Sequence, residues 1–267
     1  MKSKSDSIVL FDLDGTLTPA REQMSEEVGK CLRKLSHLAD IGIVTGSPME
    51  YVREQAMPLW RPCLASAGVS LMPCNGTQLF TWKRSRKDYE LVSAVDMKDE
   101  LKGRDYWKTA WTLLKLQAQA AEHYDIPLTG NFISYRGSML NWCMIGRDAS
   151  TEERAEFVKA DKAQGIRETL SKELSDALGD LSVSGITHAL GGNTSIDIYP
   201  TGWDKTFALR HVDTSVNTYF VGDRCDPGGN DYALYNALPI CRRFKTESPE
   251  ETIRIIEDNI IPSLEGR

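Results

Sequence analysis

Two aspartates at the end of an apolar run, Asp12 and Asp14, are the residues of this sequence best suited to chemistry. The four residues before them, 8–11, are all apolar, which is typical of a buried strand in a parallel sheet. Gly15 and Thr16 follow and form a turn in which backbone N–H groups can approach an anion. Close carboxylates repel each other unless a cation lies between them. The pair therefore predicts a metal site, and its oxygen ligands suit Mg²⁺.

The same pair could belong to a solvated turn after a core strand, because short Asp-x-Asp patterns are common by chance. The complete apolar run and the Gly-Thr-Leu-Thr that follows favour a functional role. A carboxylate can attack phosphorus and carry the phosphoryl group as a mixed anhydride, while its neighbour protonates the leaving oxygen. The motif resembles that of the haloacid-dehalogenase (HAD) superfamily of phosphotransferases. The resemblance implies that Asp12 is the nucleophile and Asp14 the general acid and base.

Composition and charge are those of a globular protein. The 267 residues are 41% hydrophobic and 26% charged, and the net charge of −6 argues against a general nucleic-acid binder. No apolar run reaches transmembrane length, and the N-terminal residues lack the apolar core of a signal peptide. The six cysteines are scattered without a C-x-x-C pair, which is typical of reduced thiols. We expect a soluble cytoplasmic protein without a membrane or nucleic-acid partner.

A second apolar stretch, 41–44, also ends in polar residues. An amphipathic helix predicted over 25–38 precedes it, so strand, helix and strand follow within forty residues and predict a parallel sheet. Thr45 and Ser47 come next, and a hydroxyl here could donate to a phosphoryl oxygen beside Asp12. Ser47 could instead only cap the next helix.

A third apolar strand, predicted over 218–222, ends at Asp223 and is followed by a glycine-rich loop, while Lys205 lies upstream. The chain thus offers each part that phosphoryl transfer requires, namely a nucleophile, a hydroxyl donor, a cation and a metal carboxylate, and their occurrence together in this order is improbable by chance. Lys205 would offset the charge of an aspartyl-phosphate. The predicted Mg²⁺ ligands are Asp12, the backbone carbonyl of Asp14 and Asp223, with Asn230 or Asp231 in support.

The charged run 83–87 is predicted to be a solvated linker at a domain boundary. Between this run and Pro200 the predicted elements change to helices and hairpins. A helix predicted over 98–123 carries four apolar residues that we expect mostly in the core: Trp107, Trp111, Leu114 and Leu116. Ser150 with Glu153 is a capping box that predicts a helix from about residue 151. The predicted fold is α/β: a Rossmann-like HAD core with a parallel sheet (1–86 and 201–267) plus an inserted α+β cap domain (87–200).

Three arginines of the predicted cap, Arg136, Arg147 and Arg154, could clamp a phosphate group. Arginine offers planar, bidentate geometry to phosphate, and one of the three lies in the first turn of a predicted helix. They could equally be ordinary surface arginines with local Glu partners. Ser195 and Asp197 lie two residues apart on a predicted strand and so share a face, where they could bind sugar hydroxyls.

Taken together, these motifs resemble those of eukaryotic-type phosphomannomutases over nearly the whole chain. The similar stretches are 11–21, 136–141, 145–147, 152–154, 202–205 and 222–231. The resemblance implies that substrate is bound by Arg21, Arg136, Arg147, Arg154, Ser195 and Asp197. It also implies Mg²⁺-dependent interconversion of mannose 6-phosphate and mannose 1-phosphate, a hexose 1,6-bisphosphate activator and a homodimer formed through the cap.

Two alternatives remain open at this point, and so does the sugar preference. On the same scaffold, water could attack the aspartyl-phosphate, which would make the protein a sugar-phosphate phosphatase. A non-catalytic phosphosugar-binding module is disfavoured, because a binder gains nothing from two crowded carboxylates. The chain has Ser134 where the family usually has Glu, and Asn193-Thr194 where the family usually has Met or Gln before Ile-Ser. Acceptance of glucose phosphates is therefore not decided by the sequence.

Overall fold

The computed structural model of the chain describes residues 6–19, 22–61, 64 and 68–266. It divides into two compact units. Unit 1 comprises Met1–Ala94 and Gly202–Arg267, and unit 2 comprises Val95–Thr201. Unit 1 is therefore assembled from two separate segments of the chain, whereas unit 2 is one continuous insert.

The strands of the described residues are numbered along the chain. They are β1 (Ser7–Phe11), β2 (Asp40–Val44), β3 (Val69–Met72), β4 (Gln78–Lys83), β5 (Asp88–Ala94), β6 (Ile133–Tyr135), β7 (Leu140–Trp142), β8 (Ile186–Gly191), β9 (Ser195–Pro200), β10 (Asn217–Gly222) and β11 (Arg243–Lys245).

The α-helices are numbered in the same way. They are α1 (Glu26–Leu35), α2 (Met49–Gln55), α3 (Met97–Glu100), α4 (Asp105–His123), α5 (Thr151–Gln164), α6 (Ile166–Asp180), α7 (Tyr232–Ala237), α8 (Pro249–Ile255) and α9 (Ile261–Glu265). A π-helical turn, Ile256–Ile260, joins α8 to α9, and a 3₁₀ segment spans Lys205–His211. Among the described residues no helix is both long and apolar enough to cross a bilayer.

The sheet of unit 1 has the strand order β11-β10-β1-β2-β3-β4-β5. The first five of these strands are parallel, and β4 and β5 continue the sheet as an antiparallel hairpin. Every residue of β1 is buried, since β1 has a strand on each side and helices cover the sheet, which explains its lack of alternation. Because β1, β2 and β10 are parallel, as the strand–helix–strand pattern predicted for β1 and β2, their carboxyl ends lie at one edge of the sheet.

Helix α1 illustrates how local sequence fixes the elements around this sheet. The Ser25 side chain accepts from the Val28 N–H at 3.3 Å and caps the helix. Val28, Leu32 and Leu35 recur at helical spacing and are buried in the core of unit 1. The predicted helix is thus confirmed, although it ends at Leu35 rather than at residue 38.

The charged run 83–87 is the turn of the β4–β5 hairpin rather than a linker. The Arg86 N–H donates to the Lys83 carbonyl at 3.1 Å, and β5 pairs with β4 from Asp88 to Ala94. Because these hydrogen bonds hold β5 in the sheet of unit 1, the structure divides after Ala94 and not at residue 87. The second division falls between residues 201 and 202, within one residue of the predicted boundary.

Unit 2 contains a four-stranded antiparallel sheet in the order β6-β7-β9-β8. Helix α6 packs against both α4 and the sheet. The predicted capping box is confirmed: the Ser150 side chain accepts from the Glu153 N–H, and the Glu153 carboxylate accepts from the Ser150 N–H. Unit 2 is therefore an α+β arrangement of helices over one antiparallel sheet.

The predicted core face of α4 is wrong for three of four residues. Trp107, Trp111 and Leu114 are 66%, 51% and 62% exposed. The face that α4 buries consists of Thr109, Thr112, Leu113, Leu116, Gln117 and Ala120. A buried glutamine is tolerated here because its hydrogen bonds are made: Gln117 Oε1 accepts from Trp142 Nε1 at 2.7 Å.

Candidate active site

A buried ion-pair network lies at the carboxyl end of β1. Asp12 follows this strand and is 3% exposed, and Lys205 is fully buried at the start of the 3₁₀ segment. The Lys205 Nζ donates to Asp12 Oδ1 and, at 2.5 Å, to Asp231 Oδ1. Asp12 and Lys205 are 193 residues apart in sequence and meet because the second chain segment completes unit 1.

Asp223 adds a third carboxylate to this network. One carboxylate oxygen from each of Asp12, Asp223 and Asp231 lies within 4.8 Å of the others. Burial raises the pKa of Asp12 well above its usual range, and Asp231 and Asp223 raise it further against the pull of Lys205. Burial, followed by Asp231, raises the pKa of Asp223 to about 6. Three carboxylates thus crowd around a single ammonium group.

Lys205 remains an ammonium despite its complete burial. Burial alone would lower its pKa, but the charges of Asp12 and Asp231 outweigh burial and raise it. When all groups are ionised, the cluster therefore carries an excess of two negative charges.

The donor set of this cluster fits Mg²⁺. The potential ligand atoms are oxygens, the charge excess matches a divalent cation, and the buried Asn230 Oδ1 has no hydrogen-bond partner within the described residues. The predicted ligands Asp12 and Asp223 are both members of the carboxylate cluster, whereas the Asp14 side chain is engaged elsewhere. Because its side chain is engaged, Asp14 would contribute its backbone carbonyl oxygen to the metal, as predicted from the sequence.

Gly15 allows the Asp12–Asp14 loop to approach Asp223. Its φ is +85°, and a Cβ at this position would collide with the Asp223 carboxylate. On the other side, Asp231 Oδ2 accepts from the Arg224 N–H at 3.0 Å and fixes the glycine-rich loop. The aspartates are thus held by backbone geometry as well as by charge.

Asp14 is half-buried and held at both carboxylate oxygens. Gln55 Nε2 donates to Oδ1 at 3.1 Å, and Ser47 Oγ donates to Oδ2 at 3.5 Å. Thr45 Oγ1 accepts from the Ser47 N–H at 3.1 Å, so its oxygen caps the turn after β2. Thr45 and Ser47 lie at the predicted edge of the sheet, but here Ser47 contacts Asp14. Gln55 was not predictable from the sequence, because a lone glutamine carries no pattern.

Unit 2 brings Arg147 together with Ser195 and Asp197 through an amide. Asn141, on β7, accepts from Arg147 Nη1 at 2.7 Å through its Oδ1. Its Nδ2 donates to Ser195 Oγ at 3.0 Å and to Asp197 Oδ1 at 2.6 Å. Asn141 and Asp197 are paired across β7 and β9. Asn141 lies in a stretch that carried the family resemblance, yet its part in this network was not predicted.

Arg154 is held beside this group by different partners. Its Nη1 donates to Thr194 Oγ1 at 3.0 Å, its Nη2 to the Arg147 carbonyl at 2.5 Å, and its Nε to the Ala149 carbonyl at 3.0 Å. Arg136 is half-buried in the β6–β7 turn, where its N–H donates to the Met139 carbonyl at 2.9 Å. The predicted substrate residue Arg21 lies outside the described residues.

The parallel sheet, with an aspartate–lysine site at its carboxyl edge and an inserted second unit, is the fold of the HAD-like proteins. The structure is similar to a haloacid dehalogenase-like hydrolase from Bacteroides thetaiotaomicron, with a TM-score of 0.55 and 14% identity over 97% of this chain and 98% of that one. It is also similar to a Plasmodium falciparum IMP-nucleotidase, with a TM-score of 0.62 and 14% identity over 97% of this chain and 70% of that one. At this identity the likeness shows the fold, and it confirms the predicted fold class.

Sequence similarity identifies the family. A family model described as eukaryotic phosphomannomutase matches residues 28–262. The chain is 37% identical to a phosphomannomutase of Saccharomyces cerevisiae, over 96% of this chain and 95% of the relative. It is 33% identical to a phosphomannomutase of Nicotiana benthamiana, over 98% of each. The chain belongs to the eukaryotic phosphomannomutase family, and the predicted resemblance is confirmed.

Proposed function

We propose that this protein is a phosphomannomutase, which interconverts mannose 6-phosphate and mannose 1-phosphate through an aspartyl-phosphate on Asp12. The observation that carries the proposal is the buried Asp12 at the carboxyl end of β1, held by Lys205 within a three-carboxylate cluster. The names of relatives with 31–37% identity over nearly the full chain support the same activity. The same relatives favour a sugar hydroxyl over water as the main phosphoryl acceptor.

The proposed chemistry uses the two carboxylates of the loop after β1. Lys205 holds Asp12 Oδ1, so the other oxygen is the one available to attack phosphorus. As the new P–O bond to Asp12 forms, the bond from phosphorus to the sugar oxygen breaks, and Asp14 donates a proton to that oxygen. In the second half of the reaction a different sugar hydroxyl attacks the aspartyl-phosphate and gives its proton to Asp14. A hexose 1,6-bisphosphate would charge Asp12 for the first turnover.

Lys205 would offset the negative charge of the aspartyl-phosphate. The hydroxyl of Thr45 or Ser47 would donate a hydrogen bond to a phosphoryl oxygen. We propose that Mg²⁺ is the required cation. When bound, it would be held by Asp12, Asp223 and the backbone carbonyl of Asp14, with Asn230 or Asp231 in support, and would neutralise charge on the phosphoryl oxygens. The excess negative charge of the carboxylate cluster supports this assignment.

Removal of the metal is expected to stop the reaction. EDTA should abolish turnover, and excess Mg²⁺ should restore it, because the carboxylate cluster needs a divalent counter-charge. A second measurement is thermal unfolding: Mg²⁺ should raise the Tm of the wild type but not that of Asp223→Asn, since binding to the folded state alone stabilises it. Full activity in the chelator would contradict the metal site.

We propose that the arginines of unit 2 bind the phosphate that is not transferred. Arg147 and Arg154 are linked by a direct hydrogen bond, and Asn141 joins Arg147 to Ser195 and Asp197. Guanidinium groups beside a hydroxyl and a carboxylate are suited to a phosphorylated sugar. Arg136, and Arg21 by family resemblance, would complete the set of substrate residues.

Arg147→Ala is expected to weaken substrate binding more than phosphoryl chemistry. Loss of one charge-assisted contact should cost about 1.5–3 kcal/mol, which appears as a raised KM for mannose 1-phosphate. Steady-state kinetics measure the effect, with Arg104→Ala as the control, because Arg104 is an exposed arginine at the start of α4 in the same unit. The same KM in Arg147→Ala and wild type would remove Arg147 from the substrate site.

A time course of free phosphate separates mutase from phosphatase. In the presence of a hexose 1,6-bisphosphate, isomerisation of mannose 1-phosphate should accelerate, and free phosphate should accumulate much more slowly than isomerised product. The same assay with glucose 1-phosphate measures the sugar preference. Phosphate release that matches substrate loss at every time point would identify a phosphatase instead.

We also propose that the protein forms a homodimer through unit 2 and works in the cytoplasm. Trp107, Trp111 and Leu114 lie on one face of α4 and are at least half-exposed, which supports an apolar contact between copies.

The proposal of a cytoplasmic location rests on the cysteines. The five cysteines in the described part of the chain form no disulfide, which supports a reducing compartment.

A further inference from the structure

Gln55, the last residue of α2, is a buried amide beside the proposed acid and base. It is 5% exposed, and its Nε2 donates to Asp14 Oδ1 at 3.1 Å. Its backbone carbonyl accepts from the Met24 N–H at 2.7 Å, so the helix end is fixed without the side chain. Its Oε1 is buried and has no hydrogen-bond partner among the described residues.

The contact of Gln55 with the Asp14 carboxylate is shorter than the contact of Ser47. Ser47 Oγ reaches the other oxygen only at 3.5 Å. An ionised carboxylate only accepts hydrogen bonds, so the donor end of the Gln55 amide must face it. Because the Gln55 side chain is enclosed, it has little freedom to turn away. Gln55 therefore sets the orientation of Asp14 more firmly than Ser47 does.

A space-filling role does not account for an amide at this position. An apolar side chain of the same length, such as methionine, would fill the volume without burying an unpaired carbonyl oxygen. A buried polar group that leaves one atom unsatisfied calls for another explanation, and a catalytic contact is one of the few available.

We propose that Gln55 is a positioning residue for phosphoryl transfer, which holds the Asp14 carboxyl in the orientation in which it exchanges a proton with the sugar oxygen. The inference rests on the proposed function, because it requires transfer to Asp12 with Asp14 as acid and base. It adds a residue of helix α2 to the two carboxylates of the loop after β1.

The proton gives this proposal a signature that a structural role would not have. When a sugar phosphate donates to Asp12, the sugar oxygen leaves as a basic alkoxide and needs the proton of Asp14. When acetyl phosphate donates, the same P–O bond to Asp12 forms, but acetate leaves as a stable anion without a proton. Misplacing Asp14 should therefore slow the first reaction and spare the second.

The experiment is single-turnover phosphorylation of the full-length protein in Mg²⁺, with hexose 1,6-bisphosphate or acetyl phosphate as donor and the phosphoprotein measured by intact mass. Gln55→Met should slow transfer from the bisphosphate about 10- to 100-fold, the value of one hydrogen bond to a charged group. Transfer from acetyl phosphate should stay close to the wild-type rate. Gln55→Glu, which has the same shape but donates no hydrogen bond when ionised, should show the same selectivity.

Thr252→Val is the matched control for loss of a buried hydrogen bond in unit 1. Thr252 is fully buried in α8 and bonds to Thr246 and Ser248, and its variant should leave the ratio of the two rates unchanged. Equal slowing with both donors in the Gln55 variants, or no slowing with either, would overturn the positioning role. If the wild-type protein is labelled by neither donor, the proposed function itself fails and this inference falls with it.

Discussion

Asp12→Asn should have no measurable turnover while the fold remains intact. An amide oxygen does not form the mixed anhydride that carries the phosphoryl group, so the first step is lost. The fold should persist because Lys205 keeps Asp231 as a buried partner, and because one of three crowded carboxylates is removed. The measurements are mutase activity in Mg²⁺ together with thermal unfolding.

The control for this experiment is Asp88→Asn. Asp88 is also an aspartate of unit 1, but it lies on β5 and pairs with Arg53 at 2.9 Å, so its activity should remain near the wild-type value. Activity of Asp12→Asn within about tenfold of wild type, a barrier change of only ~1.4 kcal/mol, would show that Asp12 is not the nucleophile.

Lys205→Met should be strongly destabilising as well as inactive. Methionine matches the length of the lysine stem, but it leaves Asp12, Asp223 and Asp231 crowded together without their cation. Removing one partner of a buried ion pair costs about 3–5 kcal/mol, because the remaining charge is left unpaired in a poorly solvated place. Urea unfolding of the metal-free protein measures the loss.

Lys245→Met provides the matched comparison. Lys245 also pairs with an aspartate, Asp226, but both side chains are exposed, at 42% and 74%. An exposed pair is screened by water and contributes little, so this variant should unfold almost as the wild type does. Similar losses in the two variants would contradict the view that burial makes the Lys205 network important for stability.

Several features of the fold and site were predictable because they rest on local patterns. The apolar run before Asp12 predicted β1 correctly, and Asp12, Lys205 and Asp223, which were predicted to share one site, do lie together in the structure. The capping box at Ser150 and Glu153 marked the start of α5 correctly. In each case the residue type and its spacing carry the physical reason directly.

The amides at Gln55 and Asn141 were not predictable as site residues. Each makes its contacts through tertiary structure, and the spacing of polar residues around it does not indicate what its amide will contact. The same holds for α4, whose apolar residues occupy two faces. Its buried face was decided by satisfied polar contacts such as that of Gln117, which composition does not reveal.

The first segment of the core was predicted to end at residue 86, whereas the first segment of unit 1 ends at Ala94. The charged residues 83–87 have the composition of a linker, yet backbone hydrogen bonds on either side make them a hairpin turn. Backbone pairing is invisible to a compositional argument, because any sequence of suitable propensity can supply the donors and acceptors.

The divided construction of unit 1 has a consequence for synthesis on the ribosome. Strand β1 emerges well before its neighbour β10, which follows only after the whole of unit 2 has been translated. Until then, a strand that is buried throughout in the finished protein has one unpaired edge open to other nascent chains. Unit 2 is continuous and can fold during this interval, whereas unit 1 must wait for its second segment, Gly202–Arg267. Translation that stops before residue 217 would therefore release a folded insert joined to an aggregation-prone sheet that lacks β10 and β11, a species that chaperones and proteases must clear.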